Sequence, residues 1–246
     1  MMTSANPDIV RIPEGSFLMG SEGEQENERP CHRVWLASFG IARFPVTNRE
    51  YKQFLEETQR VLPPFWRDPM FSNENQPVVG VSWDDAATYC RWQSEKTERL
   101  FRLPTEAEWE RAARGEKEGA LFPWGNEPPS EKYFIGCDPQ TGGPAKVGVN
   151  EPNDFGLFDM SENVHEWCAD YYDYNYYRYS PERNPPGPSS GQRRASRGGS
   201  CIFAKGSGRT SGAPSMRSGD ITKHANPSSA RSPRIGTTTW HGFIWG

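Results

Sequence analysis

The chain has 246 residues and a formal net charge of −4, from 28 Lys and Arg against 32 Asp and Glu. That balance gives no overall electrostatic footprint for nucleic acid, and no stretch approaches the roughly 18 apolar residues that span a bilayer. With 24 Gly, 22 Pro and nine Trp, the composition argues against a bundle of long helices. It favours short elements around an aromatic core.

The opening, Met1 to Val10, lacks a basic region followed by an apolar run, so no signal peptide is expected. Five cysteines, Cys31, Cys90, Cys137, Cys168 and Cys201, show no CxxC spacing. This favours reduced thiols and a cytoplasmic setting over a disulfide framework or zinc site.

Along the chain, "VRIPEGSFLMGS" reads as a strand running into a turn, and "HRVWLASFGIARFPV" supplies further strand-like runs. Three helices follow, each announced in the same way. Thr47 stands three residues before Glu50, Ser82 before Asp85, and Thr105 before Glu108, which is the capping-box spacing or its Asp variant. Tyr51, Phe54 and Leu55 form the buried face of the first. Ala86, Tyr89 and Cys90 form that of the second, and Trp109, Ala112 and Ala113 that of the third. Gly115 is a natural stop for the third. All three are expected to be short, of about three turns at most. The Pro/Gly-rich stretches after them are too aromatic to be linkers and read as packed loops.

In "GLFDMSENVHEWCADYY", Asp159, Glu162 and Glu166 crowd carboxylates around a turn beside Trp167. Carboxylates and turn carbonyls at this spacing suit a hard cation such as Ca²⁺, and an acidic turn exposed to water is the plain alternative. The last 46 residues differ in kind. From Cys201 to Gly246 there is no Leu, Val, Tyr or Glu, and six Lys or Arg face one Asp. On composition this is a basic, irregular tail, although the aromatics of "TTTWHGFIWG" are odd in such a tail.

"IPEGSFLMGS", "FPVTNREYKQF", "PVVGVSWDDAATYCRW", "RLPTEAEWERAARG", "PWGN", "NDFGLFDMSENVHEWCADYY" and "SRGGS" resemble, in order and spacing, the formylglycine-generating enzyme (sulfatase-modifying factor) family. The resemblance runs from about Val10 to Ser200. It implies an α+β, C-type-lectin-like fold with little regular structure. Residues 1–200 would carry the family domain, and residues 201–246 a divergent Gly/Ser/Arg-rich segment of the same domain. It also implies an activity. Aldehyde-forming members oxidise the cysteine of a Cys-x-Pro-x-Arg motif in a sulfatase to formylglycine, using O₂ and a Cu(I) ion held by two cysteines. Soft thiolates suit that soft ion.

Those two cysteines follow the Gly-Gly-Ser step by three and eight residues, which here are Phe203 and Gly208. Cys201 stands one residue after Ser200, where an aromatic is expected. In a strand it would share a face with position 203, which makes it a weak catalytic candidate. One thiol does not make the pair. The resemblance also implies a structural Ca²⁺ site on the Asn-Val-x-Glu-Trp turn. Asp159 and Glu166 would ligate through side chains, and Glu162 and Val164 through backbone carbonyls. Glu162 stands where glycine is common and would strain the turn if it needed positive φ. His165 is expected to pack rather than ligate.

The tail departs from the family pattern, with "RTSGAPSMR" and "HGFIWG" only hinting at its closing landmarks. If the closing strands were missing, an apolar face of the core would lie uncovered. The sequence therefore points to a non-oxidising family member, a scaffold for a peptide or other ligand, with a sulfatase among the candidate partners. The alternatives are an active oxidase and a variable ligand-binding protein on a C-type-lectin fold. No nucleic-acid or membrane partner is expected. The four scattered His and the lack of an N-terminal helical domain set aside the iron-dependent sulfoxide synthases of the same family.

Overall fold

The three hydroxyl-to-carboxylate steps start helices α1 (Asn48–Thr58), α2 (Trp83–Thr97) and α3 (Glu106–Arg114), each through a complete capping box. At α3, Thr105 Oγ1 accepts from the Glu108 N–H at 3.2 Å, and Glu108 returns a carboxylate to the Thr105 N–H at 2.7 Å. Two of the orphan donors at the helix start are thereby satisfied. Helix α2 is longer than expected, at 15 residues. No Gly or Pro interrupts it before Glu98 turns into the left-handed region at φ 55°. Gly115 ends α3 at φ 63°.

These statements come from a computed structural model, which describes residues 7–23, 25–127 and 137–199, and the backbone of 238–239 and 244–245. Strands β1 (Ile9–Ile12), β2 (Gly15–Met19), β3 (His32–Leu36) and β4 (Phe39–Ala42) come first in the chain. The short strand β5 (Phe101–Arg102) precedes α3, and β6 (His165–Tyr171) and β7 (Arg194–Gly198) follow it. Strands β2 and β3 form an antiparallel pair with Gly15 opposite Leu36 and Met19 opposite His32. β6 and β7 run antiparallel, with His165 opposite Gly198. The architecture is α+β, as the sequence implies.

At its far end the tail departs from the irregular form expected of it. β8 (Thr238–Thr239) pairs in parallel with the start of β6, and β9 (Ile244–Trp245) lies between β4 and β5 in the order β1-β4-β9-β5. The closing strand, feared missing from the composition, is therefore present. Residues 200–237, including Cys201, Phe203 and Gly208, lie outside the described residues.

Two apolar clusters flank β6. One packs Trp109, Ala112 and Ala113 of α3 against Phe17, Met19, Val34, Leu36, Phe39 and Ile41. The other is the aromatic interface of α1 and α2, where Tyr51, Phe54, Tyr89 and Trp92 meet at ring-centroid distances of 5.1–5.5 Å. Alternation along β6 sends Glu166 toward Trp109 and Trp167 into the second cluster, where its indole donates to Val81 O at 3.1 Å. This strand fixes the turn that precedes it.

Thr105→Ala removes the side-chain half of the α3 cap. We expect a loss of about 1 kcal/mol of unfolding free energy, read as a lower urea midpoint with an unchanged slope. An unchanged midpoint would show that α3 does not need this cap.

Candidate functional site

The turn from Asn153 to Glu166 is built by polar side chains that act as braces. Asn153 donates to Ala112 O and Ala113 O at 2.7 and 3.1 Å, closing the carbonyl end of α3. Its Oδ1 accepts from Phe155 and Leu157 N–H at 3.0 and 3.1 Å. Asn163, fully buried, clamps both backbone groups of Ala145, accepting from its N–H at 2.9 Å and donating to its C=O at 3.2 Å. The non-glycine left-handed positions of the turn are Asp159 (φ 60°) and Asn163 (φ 75°). Asp and Asn are among the non-glycine residues that tolerate this region best. Glu162 is not among the positive-φ residues, so the strain anticipated there does not arise.

Two glycines let β7 ride onto this turn. A Cβ on Gly198 would meet Val164 O at 3.0 Å, and Gly198 itself adopts φ 84°. A Cβ on Gly199 would meet Ser161 O at 2.7 Å. The Gly-Gly of "SRGGS" thus serves a close backbone approach.

The structure brings the predicted metal residues into one buried turn. Asp159, Glu162, Val164 and Glu166 are at most 4% exposed. Asp159 accepts from Gly148 N–H at 2.9 Å and from Asn150 Nδ2 at 3.2 Å. Glu166 Oε2 accepts from the Trp109 indole at 2.5 Å. Glu162 Oε2 is buried with no hydrogen-bond partner, and so is the adjacent Ser161 hydroxyl. Burial first, then the charge of Asp159, pushes the Glu162 carboxyl well above its ordinary value; the nearby Ser161 hydroxyl opposes the shift without closing a hydrogen bond. The turn is therefore not water-exposed. Among the described residues, no three His, Cys, Asp or Glu side chains converge closely enough to hold a metal by themselves. A cation here would draw part of its shell from backbone carbonyls. The all-oxygen donor set and the orphaned Glu162 oxygen fit a hard ion such as Ca²⁺. Burial pushes the His165 imidazole below its ordinary range.

A second polar constellation lies behind the turn, and the sequence reading missed it. Arg197, 1% exposed, reaches from β7 to Glu110 Oε2 at 2.7 Å and to Glu106 at 3.3 Å. Glu110 also accepts from Arg114 Nε at 2.9 Å and from the Gly20 N–H at 2.7 Å, while Arg114 donates to Gly20 O and Ala120 O. Burial would raise the Glu110 carboxyl, but Arg197 and Arg114 outweigh it and hold it below its ordinary value. The available signal was the spacing: Glu106, Glu110 and Arg114 recur every four residues on the helix that also carries Trp109.

The catalytic candidate Cys201 falls outside the described residues. Among those described, Cys31, Cys90 and Cys168 are free thiols. Burial raises the thiols of Cys31, Cys90 and Cys168, which makes them poor nucleophiles at neutral pH. No helix among the described residues is long and apolar enough to cross a membrane.

The sulfatase-modifying factor enzyme 1-like domain family matches residues 2–236. The chain belongs to this family. It is 32% identical to a formylglycine-generating enzyme of Streptomyces coelicolor over 86% of each chain. It is 32% identical to the inactive C-alpha-formylglycine-generating enzyme 2 of Mus musculus, over 68% of this chain and 70% of that one. Among solved structures, PvdO from Pseudomonas aeruginosa superposes with a TM-score of 0.71 at 27% identity, over 97% of this chain and 94% of that one. The family match runs past Ser200, to residue 236.

Asp170 supplies a pH test of this region. Burial, with the charge of Glu106 adding to it, pushes its carboxyl from 3.8 up to about 8, against the opposing Glu106 N–H that it accepts at 2.8 Å. The folded chain then holds this proton more tightly than the unfolded chain does. Its contribution is full below about pH 4 and is lost as pH rises toward 8. Unfolding free energies measured across that window should fall more steeply for wild type than for Asp170→Asn. Parallel curves would show that Asp170 is ionised in the folded chain.

Proposed function

We propose that this chain is a non-oxidising member of its family, using the lectin-like scaffold to bind a peptide or another ligand. The observation that carries this reading is the pair Phe203 and Gly208, standing where copper-holding members have cysteines. A single thiol at Cys201 supplies one soft ligand where Cu(I) needs two. The likeness to a relative named as inactive supports the reading. The likeness to formylglycine-generating enzymes favours an active oxidase as the second reading. In that case Cu(I) would be the cofactor and a sulfatase cysteine the substrate. The third reading, a variable ligand-binding protein, rests on the fold alone.

The decisive assay supplies the purified, folded chain with Cu(I), O₂ and a Cys-x-Pro-x-Arg peptide, and detects formylglycine by mass. We expect no conversion. Conversion that disappears in Cys201→Ala would overturn the reading.

The same proposal includes a structural Ca²⁺ on the buried turn. Asp159 and Glu166 would supply carboxylates, and Glu162 and Val164 carbonyls. The cation would balance buried negative charge and brace the start of β6. Calcium well above its dissociation constant should then raise the melting temperature by a few degrees. A melting curve indifferent to Ca²⁺ and chelator would remove the cation from the account.

A further inference from the structure

We infer that the side chain of Glu162, and not only its backbone carbonyl, is a direct ligand of the cation on the buried turn. The inference rests on the calcium reading above and deepens it.

Three carboxylates belong to this turn, and two are accounted for. Asp159 is braced by Gly148 and Asn150, and Glu166 is engaged by the Trp109 indole. Glu162 differs from both. Its Oε2 is the one carboxylate oxygen among the described residues that is buried without a hydrogen-bond partner. The residue is 4% exposed, and the charges acting on it, Asp159 and Glu166, are both negative. The neighbouring Ser161 hydroxyl is also buried and unpartnered. Two adjacent oxygens of the type that ligate hard cations are thus left open in one turn.

Leaving such groups buried and unmatched is costly. A glutamate held there by packing alone would be a net loss against a small residue. A divalent cation removes the loss, because it takes the orphaned carboxylate as a ligand and neutralises the repulsion from its neighbours. Glu166 remains oriented by Trp109. Glu162 then takes the side-chain place given to Glu166 above, so that Asp159 and Glu162 are the two carboxylates of the shell, in keeping with the absence of a three-side-chain cluster among the described residues.

The test uses the full chain and the metal alone. Ca²⁺ is titrated by calorimetry into chelator-treated wild type, Glu162→Gln, Glu162→Ala and Asp159→Asn, with melting curves recorded in chelator for each. We expect Glu162→Gln to melt no lower than wild type without calcium, since the Oε2 that it replaces makes no hydrogen bond. Its calcium affinity should fall by about tenfold or more. The opposite signs of these effects separate a ligand from a packing residue. Glu162→Ala checks the affinity loss should the glutamine variant fold poorly. Glu162 variants that bind like wild type, while Asp159→Asn binds weakly, would overturn this inference and leave the calcium reading in place. Wild type that binds no calcium would overturn both.

Discussion

The buried pairing of Glu110 with Arg197 is the contact on which the rest of the structure depends. It joins a helix to a strand 87 residues later in the chain, and Glu110 also takes Arg114 and the Gly20 N–H. Helix α3, the end of β2 and strand β7 therefore share one carboxylate. A charge pair this deep costs several kcal/mol per ion to desolvate. Glu110 is matched by Arg197, Arg114 and the Gly20 N–H, while the Arg197 Nε stays buried without a hydrogen-bond partner. Burial alone would lower the Arg197 guanidinium, but Glu110, Tyr177 and Glu106 hold it above its ordinary value. Arg197 also lies over the Trp109 ring, 5.4 Å from its centroid.

The consequence for the site is geometric. Arg197 is followed directly by Gly198 and Gly199, whose missing Cβ atoms let β7 press onto Ser161 and Val164. Trp109, one residue before Glu110, reaches Glu166 on the other side of the same turn. One turn of α3 thus positions both walls of the acidic turn, one through a charge pair and the other through an indole. Ahead of the Gly-Gly-Ser step the arginine anchors the strand, and the glycines bring it close.

What could be read from the sequence was local. The capping boxes at Thr47, Ser82 and Thr105 involve residues three apart, so spacing was enough to find them. The buried helix faces followed from periodicity, and the acidic turn from the density of carboxylates. The Arg197–Glu110 contact was not legible, because it depends on β7 reaching α3 across 87 residues of chain. Strand β9 was missed for a related reason. Its two residues are held by pairing with β4 and β5, and nothing in "HGFIWG" outweighs the Ser/Gly/Arg composition ahead of it. At Glu162 the condition for strain is not met, since the non-glycine left-handed positions are Asp159 and Asn163.

A double-mutant cycle on the central pair tests this account most directly. Unfolding free energies would be measured for wild type, Glu110→Gln, Arg197→Met and the double variant. The account predicts that each single change costs about 3–5 kcal/mol, because it strands a buried charge. The double change should cost less than the sum by more than about 1 kcal/mol. Small, additive losses would show that the pair is incidental and that apolar packing alone holds β7 against α3.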